Sequence, residues 1–136
     1  MNQSDKANQW CFACGPLNPI GLKLKFKEEN GEYITTFKAG AEHQSYDGIV
    51  HGGIVSTLLD EIMAGYIHAK GVKGVTARLE VRFRQPTPIG EELIVTGRIK
   101  GQRGNMYELA GLIKLPDGTV TAEGKATVAV VEDDET

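Results

Sequence analysis

Residues 47–65 read DGIVHGGIVSTLLDEIMAG, and no other part of the chain carries so continuous a helical pattern. Ile54, Leu58 and Ile62 recur at i, i+4 and i+8, while Val55, Leu59, Met63, Tyr66 and Ile67 widen the stripe. An apolar arc of that breadth predicts a helix buried nearly all round, running to about His68 and stopping near Gly71. Only Ser56, Thr57, Asp60, Glu61 and Ala64 remain as small or polar positions. A carboxylate at mid-helix beside so much apolar surface is costly unless it faces water or has a task. The helix start bears on that choice. Gly52 and Gly53 leave backbone N–H groups at the positive end of the helix with no side chain in the way, which suits an anion or an oxygen that becomes one during a reaction.

The flanks read as strands. Gly21–Lys27 alternates Leu22, Leu24 and Phe26 against Lys23, Lys25 and Lys27, Asn30-Gly31 is a hairpin turn, and Tyr33–Lys38 returns. Residues 39–50 form a loop into the helix. Beyond it Val75, Ala77, Leu79, Val81 and Phe83 alternate with Thr76, Arg78, Glu80, Arg82 and Arg84, until Gln85-Pro86-Thr87-Pro88 ends the strand. Leu93–Lys100 and Tyr107–Leu115 follow, with a turn at Gly101–Gly104 between them and a tight turn at Pro116-Asp117-Gly118 after them. The last strand, Val120–Val131, puts Val120, Ala122, Gly124, Ala126, Val128 and Val130 on one face, a row small enough to admit a helix closely. The order β-β-α-β-β-β-β with short links after the helix implies antiparallel pairing and an α+β class.

Length and charge bound the function. A chain of 136 residues makes one domain, expected over residues 21–131, with a turn-rich lead-in at 1–20 whose first nine residues are polar and loose, and an acidic tail at 132–136 that frays. A formal net charge of −3 gives no electrostatic case for nucleic acid. No apolar run reaches membrane-spanning length and the opening MNQSDKANQW lacks a signal peptide's apolar segment, so the expected location is cytoplasmic, without a membrane partner. Charge is unevenly placed: residues 70–103 hold eight basic side chains against three acidic ones. Most read as solvated strand faces, and Arg98, Lys100 and Arg103 stand out as a basic rim suited to a polyanionic carrier.

Cys11 and Cys14 have the spacing of half a zinc site or of a redox pair. There is no second C-x-x-C, and completion would need His43, His51, His68 or a partner subunit. The expectation is reduced, half-buried thiols with no metal and no cofactor.

His51-Gly52-Gly53 followed by Leu59-Asp60, within this order of strands, resembles the hotdog-fold acyl-CoA thioesterases of the PaaI-like type, in the 4-hydroxybenzoyl-CoA thioesterase superfamily, from about Cys11 to Val131. The resemblance implies an antiparallel sheet wrapped around one long central helix, and hydrolysis of an acyl-CoA thioester. It implies that the Gly52 N–H polarises the carbonyl, that Asp60 acts as general base or as nucleophile, and that His51 supports the loop beside the thioester, with Gly53 next to it. Left to itself, His51 reads as a residue satisfied by local hydrogen bonds at the helix start. Relatives often carry Asn or Gln seven residues before the first motif glycine, where this chain has Ser45 beside Gln44. Thr76 falls where some relatives place a serine hydroxyl near the catalytic acid, and is otherwise an ordinary β-branched strand residue. Glu61 is turned from Asp60 by about 100° of helix.

Eight residues of helix rise about 12 Å, so the Gly52 N–H and the Asp60 carboxylate of one chain do not touch one thioester carbonyl. Under the resemblance the remedy is a homodimer with shared sites, or a tetramer built from it. Two other readings stay open: a non-catalytic acyl-CoA-binding hotdog protein, whose usual DNA-binding addition the 20 residues ahead of the first strand do not accommodate, and a hotdog dehydratase, which pairs its histidine and acid differently.

Overall fold

In the computed structural model, residues 9–131 are described; the expected loose start, apart from residue 9, and the expected fraying tail fall outside them. The helix α1 spans Gly52–Ala69. The strands are β1 Lys27–Glu29, β2 Glu32–Lys38, β3 Gly74–Phe83, β4 Glu92–Arg103, β5 Met106–Lys114 and β6 Val120–Val130. All pairings are antiparallel, in one sheet of order β1-β2-β4-β5-β6-β3. This is the hotdog arrangement of one long helix held by one antiparallel sheet.

The sheet receives the helix through a groove made by omitted side chains. Gly97 of β4 lies opposite Gly111 of β5, and Gly111 lies opposite Gly124 of β6, so three neighbouring strands lack a side chain at one level. A Cβ at Gly97 would sit 2.7 Å from the Ile62 carbonyl oxygen, one at Gly111 3.2 Å from Ile62 Cγ2, and one at Gly124 3.1 Å from Met63 Cε. Leu58, Leu59, Ile62, Met63 and Ile67 are fully buried there, each contributing about 1.5–3 kcal/mol by leaving water. Farther along, Phe26, Tyr33 and Tyr66 stack in series at 4.8 and 4.9 Å, fastening the C-terminal half of α1 to β2. The helix stops as expected, with Gly71 left-handed at φ +84° and its N–H donated to the His68 carbonyl.

Four expectations are corrected. The helix is not buried all round: Asp60, Glu61, Ala64 and Gly65 are only half-buried, so its polar positions form a margin of their own. Gly21–Phe26 is not a ladder strand, although Leu22 and Leu24 enter the core. Lys23 takes φ +56°, which breaks an extended run, and Leu22 and Leu24 donate to the Phe12 and Ala13 carbonyls of the lead-in instead. The turn after β4 is narrower than residues 101–104: pairing continues to Arg103 opposite Met106, with Lys100 bulged out between Ile99 and Gly101. Finally, β3 does not keep one apolar face. A bulge at Ala77, between the Thr76–Val128 and Arg78–Thr127 pairs, reverses its phase. Thr76 therefore shares the helix side with Leu79 and Val81, which lie opposite Ala126 and Gly124, while Val75 turns outward.

The groove predicts a contrast between two glycines of one strand. Gly97→Ala drives a methyl group into the helix backbone and should lower stability by about 1–3 kcal/mol. Gly101→Ala, where a Cβ meets nothing within 4 Å, should change it by less than ~0.5 kcal/mol. Urea midpoints of the two variants check this; equal midpoints would show that the helix has slack above Gly97.

Candidate active site

The helix start is a cap built by its own histidine. His51 is the N-cap, and its Nδ1 accepts the Gly53 N–H at 2.8 Å, while its own N–H donates to the His43 carbonyl at 2.8 Å. Ile54 and Val55 both donate to the His51 carbonyl. That leaves the Gly52 N–H, the first of the helix, donating to no atom among the described residues. A Cβ at Gly52 would stand 3.5 Å from the Phe83 ring, so the open donor lies against the apolar end of β3. A directed N–H at a helix N-terminus beside an apolar wall is suited to an oxygen that gains negative charge.

Two turns along α1, Asp60 is half-buried and its Oδ1 accepts a hydrogen bond from Thr76 Oγ1 at 2.7 Å. The Ala77 bulge makes this contact, because it puts Thr76 on the helix side of the strand. Oδ2 accepts no bond among the described residues and is available to a water molecule or a substrate atom. A carboxylate fixed by one hydroxyl and open at its other oxygen suits proton abstraction or nucleophilic attack.

Glu61 faces elsewhere. Burial raises its pKa, with the hydrogen bond from Cys14 opposing and the nearby Asp60 charge adding to the rise. The Cys14 thiol is likewise pushed up, first by burial and then by the Glu61 charge. Cys11, Cys14 and Glu61 bring one donor atom each to within 4.8 Å of one another, and all three are half-buried. None of the histidines offered by the sequence joins them: His43 Nδ1 accepts the Gly40 N–H, His51 caps the helix, and His68 Nε2 is buried without a partner. The carboxylate was the residue that sequence reasoning missed, since a pairing between the lead-in and mid-helix leaves no local spacing to read.

The remaining site candidates are spread. Ser45 and Gln44 hold their own loop: Ser45 Oγ donates to the Ile49 carbonyl at 3.5 Å, and Gln44 Oε1 accepts the Gly48 N–H at 3.0 Å. Gly53 is occupied by the His51 cap. Arg98 lies opposite Ala110 on the face of the sheet away from the helix and meets Glu32 at 3.4 Å. Lys100 and Arg103 are exposed at the bulge and at the distal end of β4, without an ion-pair partner among the described residues. The structure thus joins Asp60 with Thr76 and His51 with Gly53, and keeps the three basic residues apart from both pairs.

Comparison with known proteins finds relatives along most of the chain. The family model described as Thioesterase superfamily matches residues 47–122. The chain is 30% identical over 97 residues to acyl-coenzyme A thioesterase 13 of Mus musculus, covering 69% of each. It is 34% identical over 89 residues to a mitochondrial protein of Candida albicans, covering 64% of this chain and 40% of that protein, so it spans well under half the length of that relative. It superposes on the crystal structure of a thioesterase superfamily protein with a TM-score of 0.81 and 30% identity, over 90% of this chain and 61% of the other.

The Asp60–Thr76 pair generates a graded prediction. Asp60→Asn should reduce turnover of an acyl thioester at least ~10²-fold with the fold intact by circular dichroism. Thr76→Ala, which frees the carboxylate without removing it, should cost about 10-fold, and Thr76→Ser should restore most of that. A larger loss in Thr76→Ala than in Asp60→Asn would assign the chemistry to the hydroxyl.

Proposed function

Because the chain belongs to the thioesterase superfamily, we propose that it hydrolyses the thioester of an acyl-coenzyme A to a free acid and coenzyme A. The observation that carries this reading is the Asp60 carboxylate, held at one oxygen by Thr76 and open at the other, on the helix whose first N–H is also open. Either water, giving a proton to Asp60, or the Asp60 carboxylate itself adds to the acyl carbon; the carbon–sulfur bond breaks, the thiol leaves with a proton, and in the second route water then cleaves the anhydride to the free acid and the restored carboxylate. The Gly52 N–H takes the developing oxyanion, and Asp60 either removes the proton from water or forms a transient anhydride. Single turnover in ¹⁸O-water tests the anhydride route: label enters the Asp60 carboxylate only if that carboxylate has attacked carbon and water then opens the anhydride on the Asp60 side.

The distance between the two open groups supports a site shared by two copies of the chain in a homodimer. Mixing Asp60→Asn with Gly52→Pro under conditions of subunit exchange tests it. Proline is tolerated at the first helical position, where Gly52 stands, and His51 already has the extended ψ of 137° that suits a residue before proline. About half the dimers become mixed, each with one intact site, so activity should recover to roughly a quarter of wild type. No recovery, with exchange confirmed, would put both groups in one chain's site.

The exposed Lys100 and Arg103, with Arg98, support contact with the phosphates of the coenzyme. Arg103→Ala should raise KM for an acyl-CoA more than it lowers kcat, and leave a thioester without the nucleotide unaffected. An unchanged KM would remove Arg103 from the site. The cytoplasm is the proposed compartment; recovery of the protein in mitochondria, where the name of the Candida relative puts that protein, would overturn it.

A further inference from the structure

The proposed hydrolysis makes no use of the C-x-x-C turn. We propose that Cys11, Cys14 and Glu61 form a binding site for a thiophilic divalent ion, zinc above all. Their donor atoms already lie within 4.8 Å of one another. Zinc bonds of about 2.3 Å to sulfur and 2.1 Å to oxygen, at tetrahedral angles, set such donors about 3.5–3.8 Å apart, a small closing movement away.

The sequence is shaped to make this cluster from both sides. In the lead-in, Gly15 donates to the Cys11 carbonyl at 2.8 Å and Leu17 to the Gln9 carbonyl at 2.9 Å, closing a tight turn around the two cysteines. A Cβ at Gly15 would come within 2.4 Å of both Cys11 N and Gln9 O, so only glycine permits that turn. The turn is fixed to the core by the buried Ala13, whose carbonyl accepts the Leu24 N–H at 3.0 Å. On the helix, the Glu61 carboxylate folds back over Gly65, where a Cβ would meet Oε2 at 2.9 Å. One glycine thus closes the turn that gathers the thiols, and another clears the space for the acid.

The donor set selects the ion. Two thiolates favour zinc over magnesium or calcium, and the carboxylate completes three protein ligands, leaving the fourth position to water or another donor. Such an ion would tie the lead-in to α1 at the residue next to Asp60 and fix the rotation of the helix about its axis. The inference is independent of the proposed hydrolysis.

The test uses the full chain, reduced and stripped of metal by a chelator. Titrated with zinc it should bind one ion per chain and its Tm should rise by about 5 °C or more at saturation. Titrated with cobalt(II) it should show thiolate-to-metal charge transfer together with the visible bands of a tetrahedral site. The Cys11→Ser, Cys14→Ser double variant should lose both responses. Glu61→Gln should keep the charge-transfer band and bind at least ~10-fold more weakly. A reduced, folded wild-type chain that takes up neither metal would overturn the proposal, as would full uptake by the double variant. Undiminished affinity in Glu61→Gln would overturn the three-donor site.

Discussion

The close approach of Ile62 to Gly97 is the constraint on which the rest of the structure depends. A helix normally stands off a sheet by the length of the side chains between them; here three strands omit theirs at one level, and the backbone of α1 drops toward the gap. This fixes more than distance. With Ile62 and Met63 seated over the glycines, the helix has one rotational setting, and the positions on either side of that ridge are committed. Asp60 is turned toward β3, and Glu61 toward the lead-in. The two acids are neighbours in sequence, but the packing gives them different surroundings and different chemistry.

Burial and openness are divided along the same helix. Its apolar face supplies the core, and its N-terminus is left with one unclaimed donor because His51 satisfies the next one. A neutral histidine that caps through Nδ1 is an acceptor there, so its proton sits on the other ring nitrogen. The loop ahead of it is held by the Gln44 side chain, which accepts the Gly48 N–H, and by the pairing of Gln44 with Val50.

Much of this was legible in the residues. The helix was readable because its apolar arc and its glycine start agree, and the strands because alternation and turn residues agree, down to the Asn30-Gly31 hairpin whose two residues both take positive φ. The small row on β6 announced a close helix, but its counterparts at Gly97 and Gly111 became meaningful only once the register set them side by side. What sequence did not disclose was phase. Nothing in the composition of β3 marks Ala77 as the extra residue, since the apolar alternation continues straight through it. Lys23 hides in the same way within a run that alternates and is not a strand. The Cys14–Glu61 contact was out of reach for a different reason: it is made by folding alone.

The bulge in β3 also bears on how this chain tolerates change over generations. Ala77 is exposed, so exchanging it for another residue disturbs little. Losing it altogether would also leave the phase of the strand alone. With one residue fewer, Thr76 and Arg78 would be consecutive, as their partners Val128 and Thr127 already are, and Thr76, Leu79 and Val81 would keep the helix side. The position is therefore permissive to substitution and to deletion alike: the extra residue adds a local bend and twist to β3, and its identity is incidental.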